Sequence, residues 1–503
     1  MNFISVLYGL FLFSVVAIYW SVGEKSLRLW TLFGASVAFY ASLQTIYIPL
    51  LLVLVFINYQ LGLSLGKNTS PGKHNQDFQI SDEEWQFANS DWNRRRLWIL
   101  SFGIVTNLVL LFAFKYTNSL LKPFPILTSI IPNTSDSGTL KVIVPLGISY
   151  ITFECIAYLV DIYRGAPASQ KFIDFAAYKL LFTKITSGPI TRFQNLANQF
   201  TEPRLPTPDL FAEALWLIAK GAVKKGLLAD NIGIYVDLCF GNIQRAGSTD
   251  LWLAILAYGL QLYLDFSGYV DIARGSTLLF GLVLPENFDF PYFSTSIADF
   301  WRRWHMTLGD WLRNYLYFPL GGSRRGLVRT CINLVIVMLI AGIWHGAALG
   351  FLVWGLLHGF ALAVHRLTDV VSDRTPALKL FWQTPPGTIV AWLLTQLMVF
   401  FSWIWFKLPN LQDSVLVVKN LWGHPADVQF AQLVYVESLK LSPMQLGMAF
   451  LFLVMWMSVF YIFQRRLEVQ FKWHLKLVLV PLCFYFVWLL APEGSLPFIY
   501  FDY

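Results

Sequence analysis

Apolar runs long enough to cross a bilayer recur along almost the whole chain, separated by short polar stretches. A spanning helix needs about 20 apolar residues, within a range of about 17–25. Runs of this kind fall at roughly 3–20, 29–43, 46–65, 97–116 and 141–163. Others fall at roughly 210–239, 250–281, 329–347, 349–368, 387–407, 443–463 and 474–491. The run 171–190 is shorter, ends at Gly188 and Pro189, and reads as re-entrant. The pattern predicts an all-α, polytopic membrane protein with about 11–13 membrane helices. No alternation of period two competes with it. The first run has no basic region before it and no small-residue cleavage site after it. It therefore reads as a retained helix rather than a signal peptide.

Residues 66–96 and 119–140 carry turn formers and read as extramembrane loops. No internal repeat is evident, so 1–503 reads as a single membrane domain. Basic residues follow the first, third and fifth runs: Lys25 and Arg28, then Lys67 through Arg96, then Arg164 and Lys171. If those loops are cytoplasmic, the N-terminus lies outside.

Composition agrees. Hydrophobic residues make up 56% of the 503 and charged residues 13%, against about 25% charged in a soluble protein. The net charge of +7 sits in clusters between apolar runs, as at Arg94, Arg95 and Arg96. That reads as membrane topology and not as a nucleic-acid surface. The four cysteines are far apart in apolar surroundings and suggest neither disulfides nor metal.

One segment breaks the pattern. Residues 285–326 are too polar to cross a bilayer, yet hold Trp301, Trp304 and Trp311 among Arg302, Arg303, Asp310 and Arg313. Two readings stand: an amphipathic helix anchored at the headgroups, or a re-entrant stretch buried in protein. His305 lies in its middle. His345 lies near the end of the apolar run RTCINLVIVMLIAGIWHGA. An ionisable group at membrane depth is costly and usually faces a bundle interior or a wet cavity; a core histidine bonded to a carbonyl is the plainer alternative. Arg324, Arg325 and Arg329 put the start of that run at the cytoplasmic side. At about 1.5 Å per residue, His345 is about 24 Å further on, in the outer half of a core about 30 Å thick. His305, beside Arg302 and Arg303, should lie nearer the cytoplasm, which suggests a route across the protein.

Histidine suits acyl transfer, because an alcohol attacking a thioester or ester must lose a proton and a neutral imidazole can take it. There is no GxSxG elbow and no HExxH. His345, His358 and His365 lack the cysteine or carboxylate that would complete a metal set, so no metal is expected.

Four blocks then carry a family resemblance: QLYLDFSGYVDIARGSTLLFG (261–281), PENFDFPYFSTSIADFWRRWHMTLGDWLRNYLYFPLGG (285–322), AGIWHGAALGFLVWGLLHG (341–359) and GSLPFIYFDY (494–503). In them the chain resembles the membrane-bound O-acyltransferase family, in the branch of alginate O-acetyltransferases and the D-alanyl transfer protein of teichoic acid. The resemblance implies a ring of tilted helices around a thin central tunnel. It implies that His345, of the WHG motif, is catalytic, and that His305 is the second signature histidine. His358 matches the branch pattern and is expected to be structural. Trp344, Trp301, Trp304, Asp310, Arg313, Asp265, Ser267 and His358 are the residues assigned to the tunnel. The loop 66–96 is longer than that branch leads one to expect.

The reading implied is an inner-membrane O-acetyltransferase with no bound cofactor. The donor would be acetyl-CoA or an acylated carrier protein, reaching the site from the cytoplasm. The acceptor would be an exported, alginate-like polysaccharide, directly or through a periplasmic or membrane-anchored acyltransferase partner. The lipid bilayer is the remaining partner. The rivals are a transporter or channel and a scaffold of an export complex, without chemistry of their own. A transporter commonly shows repeated halves, which this chain lacks.

Overall fold

A computed structural model describes residues 3–66, 94–121, 143–201, 205–469, 471–492, 494 and 497–499. The sequence-based loops 66–96 and 119–140 lie almost entirely outside these residues, as does most of the terminal block 494–503. Among the described residues the structure is helical, and the one β-bridge joins Phe288 to Trp304.

Eight segments of the described residues are long and apolar enough to cross a membrane. They are Lys25–Gly66, Arg94–Thr117, Ser248–Leu278, Leu327–His345, Leu349–Arg374, Pro385–Lys407, Pro443–Arg465 and Trp473–Leu490. The first is two helices, Lys25–Gln44 and Ile48–Gly66, joined by a 3-10 turn at Thr45–Tyr47. Val6–Ser21 is a shorter apolar helix, begun by Ser5, whose hydroxyl accepts from the Tyr8 amide at 3.2 Å. These match the apolar runs, and the chain is a multi-pass membrane protein.

Three boundaries differ from expectation for local reasons. The run 141–163 becomes helical only at Ile148, because Gly147 takes φ +76° against the Ile185 carbonyl, a place with no room for a Cβ. The run 210–239 is helical throughout, but a π-helical stretch at Val223–Ala229 interrupts it. The run 171–190 gives a 9-residue helix, Phe172–Leu180, followed by buried turns.

The described chain divides into two compact units. The first comprises Met1–Ala214, Ala273–Pro285 and Asp310–Pro319. Its irregular backbone after Leu180 survives burial because it is bonded internally. Glu154 accepts from Lys184 Nζ at 2.7 and 2.8 Å, and from the Thr191 amide and hydroxyl at 2.9 and 3.0 Å. The buried amides of Asn58 and Asn107 link their helices, with a bond of 2.9 Å from Asn107 Nδ2.

The second unit comprises Leu215–Ile272, Glu286–Gly309 and Leu320–Tyr503. Within it Leu327–His345 packs along Leu349–Arg374. Glycines set how close the two backbones come: a Cβ on Gly355 would lie 2.5 Å from the Met338 carbonyl oxygen, and one on Gly359 would lie 2.9 Å from Val335 Cα. In lipid, where tails are as apolar as leucine, such small-residue contacts are what draw helices together. Pro385–Lys407 begins with Thr384 as cap and Pro385 in its first turn. Pro443–Arg465 begins with a capping box of Ser442 and Gln445.

Candidate active site

Among the described residues, the histidines fall in the second unit. His345 ends the helix Leu327–His345 and is 2% exposed. The chain turns extended at Gly346, whose amide bonds back to the Gly342 carbonyl. A Cβ on Gly346 would collide with the Phe351 ring, so the glycine of WHG lets that ring close against the site. Around His345 stand Trp344 (centroids 4.9 Å apart), Phe406 (4.9 Å), Trp354 (5.2 Å) and Phe351 (6.4 Å). The ring is thus enclosed largely by aromatic side chains.

His358 is held differently. Trp354 lies four residues before it on the same helix face and 4.9 Å from its ring. Trp301 Nε1, which can only donate, bonds to His358 Nδ1 at 3.2 Å. Nδ1 is therefore the acceptor, and Nε2 carries the proton toward Ser402 Oγ at 2.8 Å. Ser402 in turn donates to the Val399 carbonyl at 2.7 Å. Both nitrogens are engaged, so this ring pins Trp301 to Pro385–Lys407 and has no lone pair left for a substrate.

His305 occupies the segment that sequence left between a surface helix and a buried stretch. It is 1% exposed, and Trp304 is 2% exposed, so burial decides the matter for these two residues. The backbone of 287–289 runs antiparallel to 303–306, through Asp289 N to Arg303 O (2.9 Å) and Met306 N to Asn287 O (3.0 Å). Between these bonds His305 takes φ +44°, a left-handed conformation unusual for a side-chain-bearing residue. Asn287 Oδ1 accepts from the Thr307 amide and hydroxyl, both at 3.0 Å, and lies 3.3 Å from His305 Nδ1. An oxygen there requires the proton on Nδ1, which leaves the Nε2 lone pair as the ring's basic position. Burial holds the imidazole pKa below its usual range, so it is neutral. The His305 ring meets Phe266 at 4.9 Å and Trp344 at 6.3 Å. One indole thus neighbours both signature histidines.

The remaining expected residues divide. Trp304 lies within an aromatic wall, 5.1 Å from both Phe288 and Trp403. Asp265 is buried in an ion cluster: Lys225 Nζ lies 2.5 Å from its Oδ1 and 2.8 Å from Asp230, and the Ile499 amide bonds to its Oδ2 at 3.1 Å. Ser267 is buried, and its hydroxyl has no hydrogen-bond partner among the described residues. Asp310 and Arg313 fall in the first unit, where both are exposed and pair with each other at 2.8 Å. No group of three His, Cys, Asp or Glu suited to a metal occurs among the described residues.

Several site residues were not singled out from sequence. Lys225 and Asp230 had a signal, charges inside an apolar run. Asn287, Thr307 and Ser402 had none, since a lone polar residue in sequence does not reveal its partner.

The model of the membrane-bound O-acyltransferase family matches residues 32–403. The chain belongs to that family. It is therefore a membrane acyltransferase. It is 36% identical over 405 residues to the "Probable alginate O-acetylase AlgI" of Pseudomonas aeruginosa, covering 80% of this chain and 71% of that protein. It is 35% identical over 447 residues to the protein of the same description from Pseudomonas putida, covering 88% and 84%. It is 34% identical over 423 residues to the peptidoglycan O-acetyltransferase of Helicobacter pylori, covering 79% and 74%.

Proposed function

We propose that this acyltransferase moves acetyl groups from a cytoplasmic thioester, acetyl-CoA or an acylated carrier protein, for O-acetylation of an exported alginate-like polysaccharide. The observation that carries the reading is His345, enclosed by aromatic rings at the end of a membrane-length helix. The imidazole takes the proton of an attacking hydroxyl. A C–O bond forms at the acyl carbon, the C–S bond breaks, and the departing thiolate takes the proton from the imidazolium. His305, neutral and with its Nε2 side basic, orients the donor or relays a proton. The names of the relatives support the polysaccharide acceptor. The hydroxyl belongs to the polymer or to a periplasmic or membrane-anchored partner that completes the transfer. In this reading the protein sits in the inner membrane with its N-terminus outside, and a thin tunnel lined by Trp344, Trp301 and Trp304 brings the substrates together.

The test is His345→Ala in cells that make the polymer. O-acetyl content of the surface polysaccharide should vanish while the protein accumulates normally. Unchanged O-acetylation would overturn the assignment.

A further inference from the structure

We propose that Asn287 is a substrate-contacting residue, its side-chain nitrogen donating to the carbonyl oxygen of the acyl group in transit; this rests on the acyl-transfer reading above. Asn287 is 1% exposed. Its orientation is fixed chemically, because the Thr307 amide can only donate and bonds to Oδ1 at 3.0 Å. The opposite end of the amide is therefore –NH2. That Nδ2 is buried and has no acceptor among the described residues. Leaving a buried amide donor unmade is costly, and such groups are uncommon enough in folded proteins to require a reason.

The surroundings supply one. The same amide holds His305 at 3.3 Å, and His305 sits at φ +44° beside Trp344, the neighbour of His345. Strained backbone persists where surrounding bonds over-determine it, and it clusters at functional sites. A thioester carbonyl presents the acceptor that Nδ2 lacks. When the hydroxyl oxygen attacks the acyl carbon, the carbonyl π pair moves onto the carbonyl oxygen, and Nδ2–H donates to the negative charge growing there. The pair returns as the C–S bond breaks. A preorganised donor in a water-poor site acts most strongly on that charged state.

Asn287→Asp tests this, because it keeps an acceptor for Thr307 and His305 and replaces the donor with an oxygen. Membranes from cells lacking the gene, complemented with full-length variants, are given labelled acetyl-CoA, and label entering polysaccharide is measured. Asn287→Asp should lower the rate about 10²–10³-fold, while Thr307→Ala, which trims only the acceptor end, should lower it at least about tenfold less. Asn287→Asp within threefold of wild type overturns the proposal, as does an equal fall in both variants. If the buried carboxylate prevents accumulation, Asn287→Leu takes its place. A comparable fall is expected, and a rate within threefold of wild type overturns the proposal. Wild type and His345→Ala run alongside: a wild type that transfers no label sinks the acyl-transfer reading itself. An active wild type with an inactive His345→Ala leaves that reading standing, whatever Asn287 does.

Discussion

The second unit holds its histidines in two ways. His345 and His358 ride on a pair of helices whose approach is set by glycine. His305 sits in irregular backbone at a left-handed φ, held by Asn287 and a short antiparallel pairing. The helical pair fixes ring positions through packing, which is cheap in sequence and repeats every turn. The irregular segment fixes a ring through directed hydrogen bonds, which cost backbone strain but also choose the tautomer. Within the helical pair a second contrast appears. His358 has both nitrogens engaged by Trp301 and Ser402, whereas His345 is surrounded chiefly by aromatic faces. Burial alone does not distinguish the two rings, since both are buried; the groups packed around each do.

The sharpest test of that contrast sets His345→Ala beside Trp301→Phe. The first should lower acetyl incorporation by 10³-fold or more, on the order of what is lost with a catalytic base, with thermal unfolding in detergent nearly unchanged. If His345→Ala retains activity, the distinction between the two rings collapses. Trp301→Phe removes the donor to His358 and should cost about 1 kcal/mol of stability, with activity per folded molecule within a few-fold.

The glycine-set approach is tested by Gly355→Ala. The added methyl meets the Met338 carbonyl oxygen, which belongs to the backbone and cannot rotate aside. Overpacking of this kind costs about 1–3 kcal/mol, seen as a lower unfolding temperature in detergent. An unchanged unfolding temperature would show that the helices are not held at the limit of contact.

The smallest expected effect is on pH dependence. His305 has its pKa lowered by burial, against about 6.5 for the imidazole of an unfolded chain. Below about 6.5 the unfolded chain binds a proton that the folded chain does not, so stability rises with pH through this window and falls on acidification. His305→Gln should flatten that slope between pH 5 and pH 7, measured by unfolding in detergent. A slope unchanged in the variant would mean that other groups carry it.

Much of the molecule is legible along the chain. Length and apolarity are local properties, so the runs at 329–347, 349–368 and 387–407 foretold helices within a few residues of Leu327–His345, Leu349–Arg374 and Pro385–Lys407. The blocks around His305 and His345 pointed to acyltransfer, and the family match agrees. Pairing across the fold was not readable. Trp301 and His358 are 57 residues apart, and Asn287 and His305 are 18 apart; no periodicity links them. Asp310 and Arg313, next to the tryptophans in sequence, instead face outward and satisfy each other. The class, the helices and the candidate histidines are legible along the chain, because hydrophobic burial and motif spacing are properties of contiguous sequence. Which nitrogens of His358 and His305 are engaged, and that Asn287 lies beside His305, came only with folding, because hydrogen bonds are directional and join residues distant in the chain.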